Sequence, residues 1–247
     1  MLKAVTLDLW DTIFVDEDGA EHERRRAELL AEELSALGTP RSEAAIHHAL
    51  RAAYDWFEQI WRAEQRTPSA TETIGVLFAA LMVSPPVEVV ARVVDYFENL
   101  VHDPPPPVVT GVPSVLPQLA SKYKLALICD TGYTPGSVLR ELLSQRGLLP
   151  FFTYVYFSNE GGMSKPDPRV FLRALDELGV RPESAAHVGD SQRTDIAGAQ
   201  QAGMLAVHFI GVNERDAALS SGDVLIRRFE ELPGALASLA SGADPRP

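Results

Sequence analysis

The chain has 247 residues, 46% of them hydrophobic, which is enough apolar material for one large domain or a domain with a sizeable insertion. Its formal net charge of −12 argues against a nucleic-acid or anionic-membrane partner, because such partners are bound mainly through Lys and Arg; any phosphate handled here must be small and locally neutralised. The single cysteine, Cys129, leaves no internal disulfide and no cysteine-metal cluster; with no signal-peptide pattern and no run near the roughly 18 apolar residues of a membrane span, a cytoplasmic protein is expected.

The apolar run from Ala4 to Leu9 reads as a central parallel strand. After "FVDEDG" the strand signal gives out until about Val101. Leu30, Leu34 and Leu37 mark one helix, and Ile46, Ala49, Leu50, Ala53, Trp56, Phe57 and Ile60 a second. Ile74, Leu77, Phe78 and Leu81 mark a third, and Val90, Val93, Val94, Phe97 and Val101 a fourth, with "TPRS", "RTPSA" and "VSPP" between them. Trp56, Phe57 and Trp61 are expected in the core of this bundle, and His47, Arg51, Tyr54 and Arg62 on its solvated face. "DPPPP", Asp103 to Pro107, reads either as a stiff connector or as a simple helix stop.

Beyond it strands and helices alternate. The strands are "KLALIC" at Lys124–Cys129, "FTYVYFS" at Phe152–Ser158, "AAHVGD" ending at Asp190, "LAVHFI" at Leu205–Ile210 and "DVLI" from Asp223; the final "SGADPRP" reads as a loose tail. The pattern predicts an α/β fold: a Rossmann-like, doubly wound parallel sheet formed by residues 1–15 and 108–247, with an inserted all-helical cap over 16–107.

In an open parallel sheet, ligands bind outside the carboxyl ends of the strands. Those ends carry Asp8 and Asp11; Cys129, Asp130 and Thr131; Ser164 and Lys165; and Asp190 with Asp195. Several carboxylates in one crevice repel each other unless a lysine or a hard cation sits among them, and an all-oxygen donor set suits Mg²⁺. Lys165, one of four lysines, is placed to hold Asp8 ionised and to offset charge on a bound phosphoryl group. Asp195 also reads as a cap for the helix that follows, and His187, from a buried strand, reads as packing.

These residues resemble the haloacid dehalogenase superfamily of hydrolases, in the subgroup with a helical cap inserted after the first motif. "LDLWDT" is similar to its first motif, "LALICDT" to its second, "SKPDP" to its third and "HVGDSQRTD" to its fourth. The resemblance implies a nucleophile at Asp8 that forms an aspartyl intermediate, neutralised by Lys165. It implies Mg²⁺ held by Asp8, the backbone carbonyl of Trp10 and Asp190, with Asp195 a further or outer ligand. Thr12 would brace the nucleophile loop, and Asp11, Asp130 and Ser164 would support the site.

Two positions depart from the family pattern. Phosphatases of the superfamily carry Asp two residues after the nucleophile, as the proton donor to the leaving oxygen; here Trp10 stands there, and indole cannot transfer a proton at neutral pH. Asp11 points elsewhere along an extended backbone. The usual Ser or Thr of the second motif aligns with Cys129, a weak donor, with Thr131 as the substitute; Asp130 would repel a phosphate unless it is turned away or paired. The expectation is a Mg²⁺-dependent phosphohydrolase for a small phosphorylated metabolite, acting as monomer or homodimer. The alternatives are a 2-haloacid dehalogenase-type hydrolase, whose branch carries an aromatic residue after its nucleophile, and a weak or inactive ligand-binding protein. A phosphonate-cleaving relative that uses a cap lysine does not fit, since Glu21 to Val101 contains no lysine.

Overall fold

The computed structural model describes residues 1–16 and 19–241; Glu17 and Asp18 of the "FVDEDG" segment, and residues 242–247 of the expected tail, lie outside the described residues. β1 (Ala4–Leu7) is buried along its whole length and pairs in parallel with β2 (Lys124–Cys129) on one side and β4 (Ala185–Gly189) on the other, Ala4 lying opposite both Lys124 and Ala185. With β3 (Tyr154–Phe157), β5 (Leu205–Phe209) and β6 (Val224–Ile226) the order is β3-β2-β1-β4-β5-β6, all parallel. The chain fills one half of the sheet outward from β1 and then returns to fill the other, so the order reverses between β1 and β4. A crevice opens at the strand ends there. β1 stops two residues short of the expected Leu9 because that residue turns the chain: its carbonyl accepts the amides of Ile13 at 2.8 Å and Phe14 at 2.9 Å.

Side chains alternate across the sheet into two cores. Val5, Leu7, Leu127 and Cys129 pack with α5 (Val112–Ala120), α6 (Gly136–Gln145) and α10 (Leu232–Ser241), while Ala4, Ala126 and Ile128 pack on the other face with residues of α8 (Pro168–Leu178) and α9 (Ala197–Gln201). The one-turn α7 (Ser158–Gly161) follows β3 directly. α8 shows how local sequence sets these borders: Asp167 caps its first turn, Pro168 takes the first helical position, and Gly179 ends it at φ 62°.

Between β1 and α5 the described residues form four α-helices, α1 (Gly19–Ala36), α2 (Glu43–Glu64), α3 (Ala70–Ala80) and α4 (Val87–Asn99), the last followed by a short 3-10 turn. They bury Leu30, Leu34, Ile46, Ile74, Leu77 and Phe97 in a cluster separate from the two sheet cores. Ser42 caps α2, and Ser69 with Glu72 forms a reciprocal capping box at α3. The chain enters and leaves this group side by side, Val15 donating to the Pro107 carbonyl at 3.0 Å and Val109 to the Ile13 carbonyl at 2.8 Å. Pro107, the last of the proline run, is thus held against the outgoing segment.

One expectation is corrected. Trp56, Phe57 and Trp61 are half-buried and lie outside the helical core, because α2 buries nothing beyond Ala53. A helix of 22 residues is roughly 33 Å long, more than its three shorter neighbours cover, and its C-terminal half overhangs the crevice. Among the described residues no helix is long and apolar enough to cross a membrane.

Truncating Leu77, fully buried among α1–α4, to alanine should lower the unfolding free energy by about 2–5 kcal/mol. Urea denaturation followed by circular dichroism measures it, and a loss under about 1 kcal/mol would contradict the packing described.

Candidate active site

Asp8 is the first residue past β1, fixed by its own amide, which donates to the Val188 carbonyl of β4 at 2.9 Å. The residue is 6% exposed. The ammonium of Lys165, arriving from the loop before α8, donates to Asp8 Oδ1 and also to Asp195 Oδ1 at 2.6 Å. Asp190, one residue past β4, completes a group in which Asp8, Asp190 and Asp195 each offer a carboxylate oxygen, all within 4.8 Å of one another.

Asp195 sits on the turn Gln192–Ile196 and spends its acceptor capacity inside the protein. Oδ1 takes Lys165 and His187 Nε2 at 3.1 Å; Oδ2 takes the Ser191 amide at 3.0 Å and lies 3.4 Å from the Thr194 hydroxyl. Since a carboxylate only accepts, His187 Nε2 must carry the proton, and Nδ1 must accept from the Thr6 hydroxyl at 2.7 Å. His187 is buried as expected, but beyond packing edge-on to Phe171 it orients Asp195. Gly189 permits the arrangement, because a Cβ there would overlap the Asp195 carboxyl.

One lysine cannot neutralise three carboxylates. Lys165 and His187 hold Asp195 well below the usual carboxylate range despite its burial. Burial instead pushes Asp8 up to about 7, with the Asp195 charge adding to it and Lys165 opposing, and raises Asp190 to about 8, with Asp195, Asp8 and Asp11 adding. Lys165 stays protonated, since the surrounding Asp195, Asp8 and Asp130 charges outweigh its burial. Lys165 thus opposes the effect of burial on Asp8, but its ammonium is shared with Asp195.

The second-motif residues resolve differently from one another. Cys129 is fully buried, its side chain directed by strand alternation into the apolar core, its thiol 3.4 Å from the Asp130 carbonyl and pushed up by burial. Among the described residues its thiol makes no hydrogen bond to Asp8, Lys165 or Asp195, although their charges reach it. Thr131 is nearer, its hydroxyl 3.3 Å from both Ser158 Oγ and Asn159 Oδ1. Asp130 is paired: Oδ1 accepts the Lys165 amide and Oδ2 the indole N–H of Trp61, both at 3.0 Å. Burial raises its pKa to about 6 against the pull of Lys165.

In the loop after Asp8, Trp10 is half-buried and tilted against Phe14, the two side chains' ring centres 6.3 Å apart, and it lines the cleft beneath the helices. Asp11, at φ 53°, points away to the Asp16 amide at 3.0 Å and Asn213 Nδ2 at 3.4 Å. Thr12 is fully buried, and its hydroxyl has no partner among the described residues, so any bracing comes from packing alone. Ser164 is buried, with its amide on the Gln65 carbonyl at 2.7 Å and its hydroxyl 3.2 Å from Thr67 Oγ1.

Trp61 and Thr67 belong to the helical half and reach the site unannounced by any local motif. Of the polar residues expected on a solvated face, His47 pairs with Glu23 at 3.3 Å and Arg62 with Glu58 at 2.7 Å, while Arg51 and Tyr54 line the cleft.

The sequence profile of the haloacid dehalogenase-like hydrolases matches residues 2–203. The chain belongs to that family. It is 31% identical over 210 residues to a glyceraldehyde 3-phosphate phosphatase of Methanopyrus kandleri, covering 84% of this chain and 83% of the relative. It is 46% identical over 88 residues to a phosphoserine phosphatase of Thermus thermophilus, covering 36% and 35%. Among solved structures, a 2-haloacid dehalogenase of Pseudomonas syringae pv. Tomato superposes with a TM-score of 0.74 at 26% identity, over 96% of this chain and 99% of that one. This hydrolase thus resembles phosphatases and a dehalogenase by name.

The raised carboxylates give a stability signature. Asp8 and Asp190 titrate near 7 and 8 when folded, against 3.8 for a free aspartate, so the folded state keeps protons that the unfolded state has shed. Their contribution is complete below about pH 4 and is lost as pH rises through 7 to 8. In chelator the melting temperature of this hydrolase should fall from pH 5 to pH 8, and that of Asp190→Asn should fall less. A flat or rising wild-type curve would contradict the charge balance described.

Proposed function

We propose that this hydrolase is a Mg²⁺-dependent phosphohydrolase of small phosphorylated metabolites, with Asp8 as nucleophile. The observation that carries the reading is the shortage of cations in the crevice: three carboxylates lie within 4.8 Å of one another, and the one ammonium there pairs with only two of them, Asp8 and Asp195. The donor set, all hard oxygens in a buried crevice, fits Mg²⁺. Asp8, Asp190 and the Trp10 carbonyl would hold the ion, with Asp195, committed to Lys165 and His187, an outer partner. When bound, Mg²⁺ supplies charge that draws Asp8 and Asp190 into their ionised forms and offsets charge on a phosphoryl group.

In this reading Asp8 attacks phosphorus in line, Lys165 stabilises the charge on the phosphoryl oxygens, and water then cleaves the aspartyl phosphate. Residues 16–107 form a cap over the core of 1–15 and 108–247, and the cleft beneath it excludes bulk water from the crevice. The phosphatase names of the Methanopyrus and Thermus relatives support the reaction class. Asp8 is buried beside an ammonium, so Lys165 prepares a carboxylate nucleophile while Trp10 supplies no proton. Leaving groups that depart as stable anions are therefore favoured.

A second reading has specific support. Trp10 places an aromatic residue after the nucleophile, and the 2-haloacid dehalogenase superposes at 26% identity. Displacement of halide from carbon by Asp8 needs no proton donor. The first reading is preferred because carboxylates in excess of the one lysine call for a dication, which that displacement does not use.

Phosphate release from p-nitrophenyl phosphate and acetyl phosphate tests the proposal. Release should require Mg²⁺, stop in EDTA, and fall by about three orders of magnitude or more in Asp8→Asn; alkyl phosphates should turn over far more slowly than aryl ones. Chloride release from 2-chloropropionate that persists in EDTA, without phosphate release, would establish the second reading. Mg²⁺-dependent binding with no product would indicate a ligand-binding protein.

A further inference from the structure

Two histidines are fully buried on neighbouring strands of the sheet, His187 in β4 and His208 in β5. His187 orients Asp195, whereas His208 bonds to no charged side chain among the described residues. A buried imidazole is costly unless its ring nitrogens are paired. The parallel register sets His208 opposite Gly189, the residue before Asp190, and on the same face of the sheet as His187. Its Nε2 lies 2.7 Å from the Asp190 carbonyl, and since a carbonyl only accepts, Nε2 carries a proton. Its Nδ1 lies 2.8 Å from the hydroxyl of Ser220, in the segment between β5 and β6.

The same segment grips the turn that follows Asp190. Asp216 Oδ2 accepts the Gln192 amide at 2.9 Å, and the Gln192 side chain exchanges two bonds with Ser221, its Nε2 donating to the hydroxyl and its Oε1 accepting the amide, both at 2.9 Å. Gln200 of α9 donates to the Ser221 carbonyl at 2.6 Å. Asn213, earlier in the segment, reaches Asp11 Oδ2 at 3.4 Å. Packing a strand needs none of this: Val207 and Phe209, on either side of His208, are held in the apolar core alone. What His208 adds is a fixed carbonyl at Asp190. Because the peptide unit is planar, holding its oxygen fixes the whole unit between Asp190 and Ser191. Gly189 is anchored in β4 on the other side, so the Cα and Cβ of Asp190 are set, and with them the origin from which its carboxylate meets Asp8 and Asp195.

We propose that His208 is a positioning residue that holds Asp190 at the crevice with its carboxylate preset for a divalent cation, and that Ser220 acts through it. The inference rests on the Mg²⁺ part of the phosphohydrolase reading. His187 and His208 then bracket the turn, one fixing the carboxylate of Asp195 and the other the backbone of Asp190. Groups that orient the ligands of a metal without touching it are worth about 10- to 100-fold in affinity, so the contribution of His208 is measurable on the cation alone.

Calorimetric titration of chelator-treated protein with Mg²⁺, well below the melting temperature, tests this without turnover. Wild type should bind at one site. His208→Phe, which keeps a ring and removes the donor, should weaken binding about tenfold or more, and His208→Gln, whose amide keeps a donor at the reach of Nε2, should restore part of it. Ser220→Ala, at a half-exposed position, should weaken binding in the same direction, and it carries the test if His208→Phe does not fold. Leu77→Ala, destabilised in the separate helical core, should keep wild-type affinity. Unchanged affinity in His208→Phe, or in Ser220→Ala where His208→Phe does not fold, overturns the role of His208 alone. An equal loss in Leu77→Ala overturns it too, since the effect would then be one of stability. Failure of wild type to bind Mg²⁺ overturns the metal reading, and this inference with it.

Discussion

The Lys165 ammonium lies between Asp8 and Asp195, and the rest of the site follows from how that single charge is divided. A buried ion pair is costly unless its geometry and remaining hydrogen bonds are complete. Asp195 meets that condition: His187, Ser191 and Thr194 fill its other acceptor positions, so it anchors the lysine. Asp8 receives the same ammonium without those supports. Asp190 is left facing both with no cation of its own, and the resulting excess of charge makes a divalent ion the natural completion of the crevice.

The same lysine ties the site to the helical half. Its backbone amide is held by Asp130, whose other oxygen accepts from Trp61 on α2, so hydrogen bonds through Lys165 lead from the overhanging helix to Asp8. Asp130, an awkward carboxylate when viewed in sequence, is spent on this connection rather than on a substrate. The loop that carries Lys165 is fixed a second time by Gln65 and Thr67, just beyond α2. Helix and loop are therefore positioned together.

How much of this was legible follows from the range of each interaction. The parallel sheet, the helical insertion and the arrival of Asp8, Lys165, Asp190 and Asp195 at one edge could be read because periodicity is local and strand ends in such a sheet converge. Alternation along β2 also places Cys129 on one face with Leu125 and Leu127. Trp56, Phe57 and Trp61 were misplaced because helical spacing marks an apolar stripe without saying whether a bundle core or a cleft lies against it. The partners Trp61 and Asp130 lie 69 residues apart, and Lys165 and Asp8 157 apart, so their pairing depends on tertiary geometry that no local pattern encodes. The division of Lys165 between two carboxylates, and the shift of Asp8 that follows, is likewise a property of distances and burial.

The most direct measurement of the central claim is the heat of Mg²⁺ binding to chelator-treated protein near pH 7, repeated in two buffers of different ionisation enthalpy. If one ammonium serves two of three neighbouring carboxylates, Mg²⁺ binds at one site and expels protons from Asp8 and Asp190, so the heats differ between buffers and protons are released. Binding with identical heats in both buffers, or no binding at all, would mean that the carboxylates are already balanced and that the account of the site built on Lys165 is wrong.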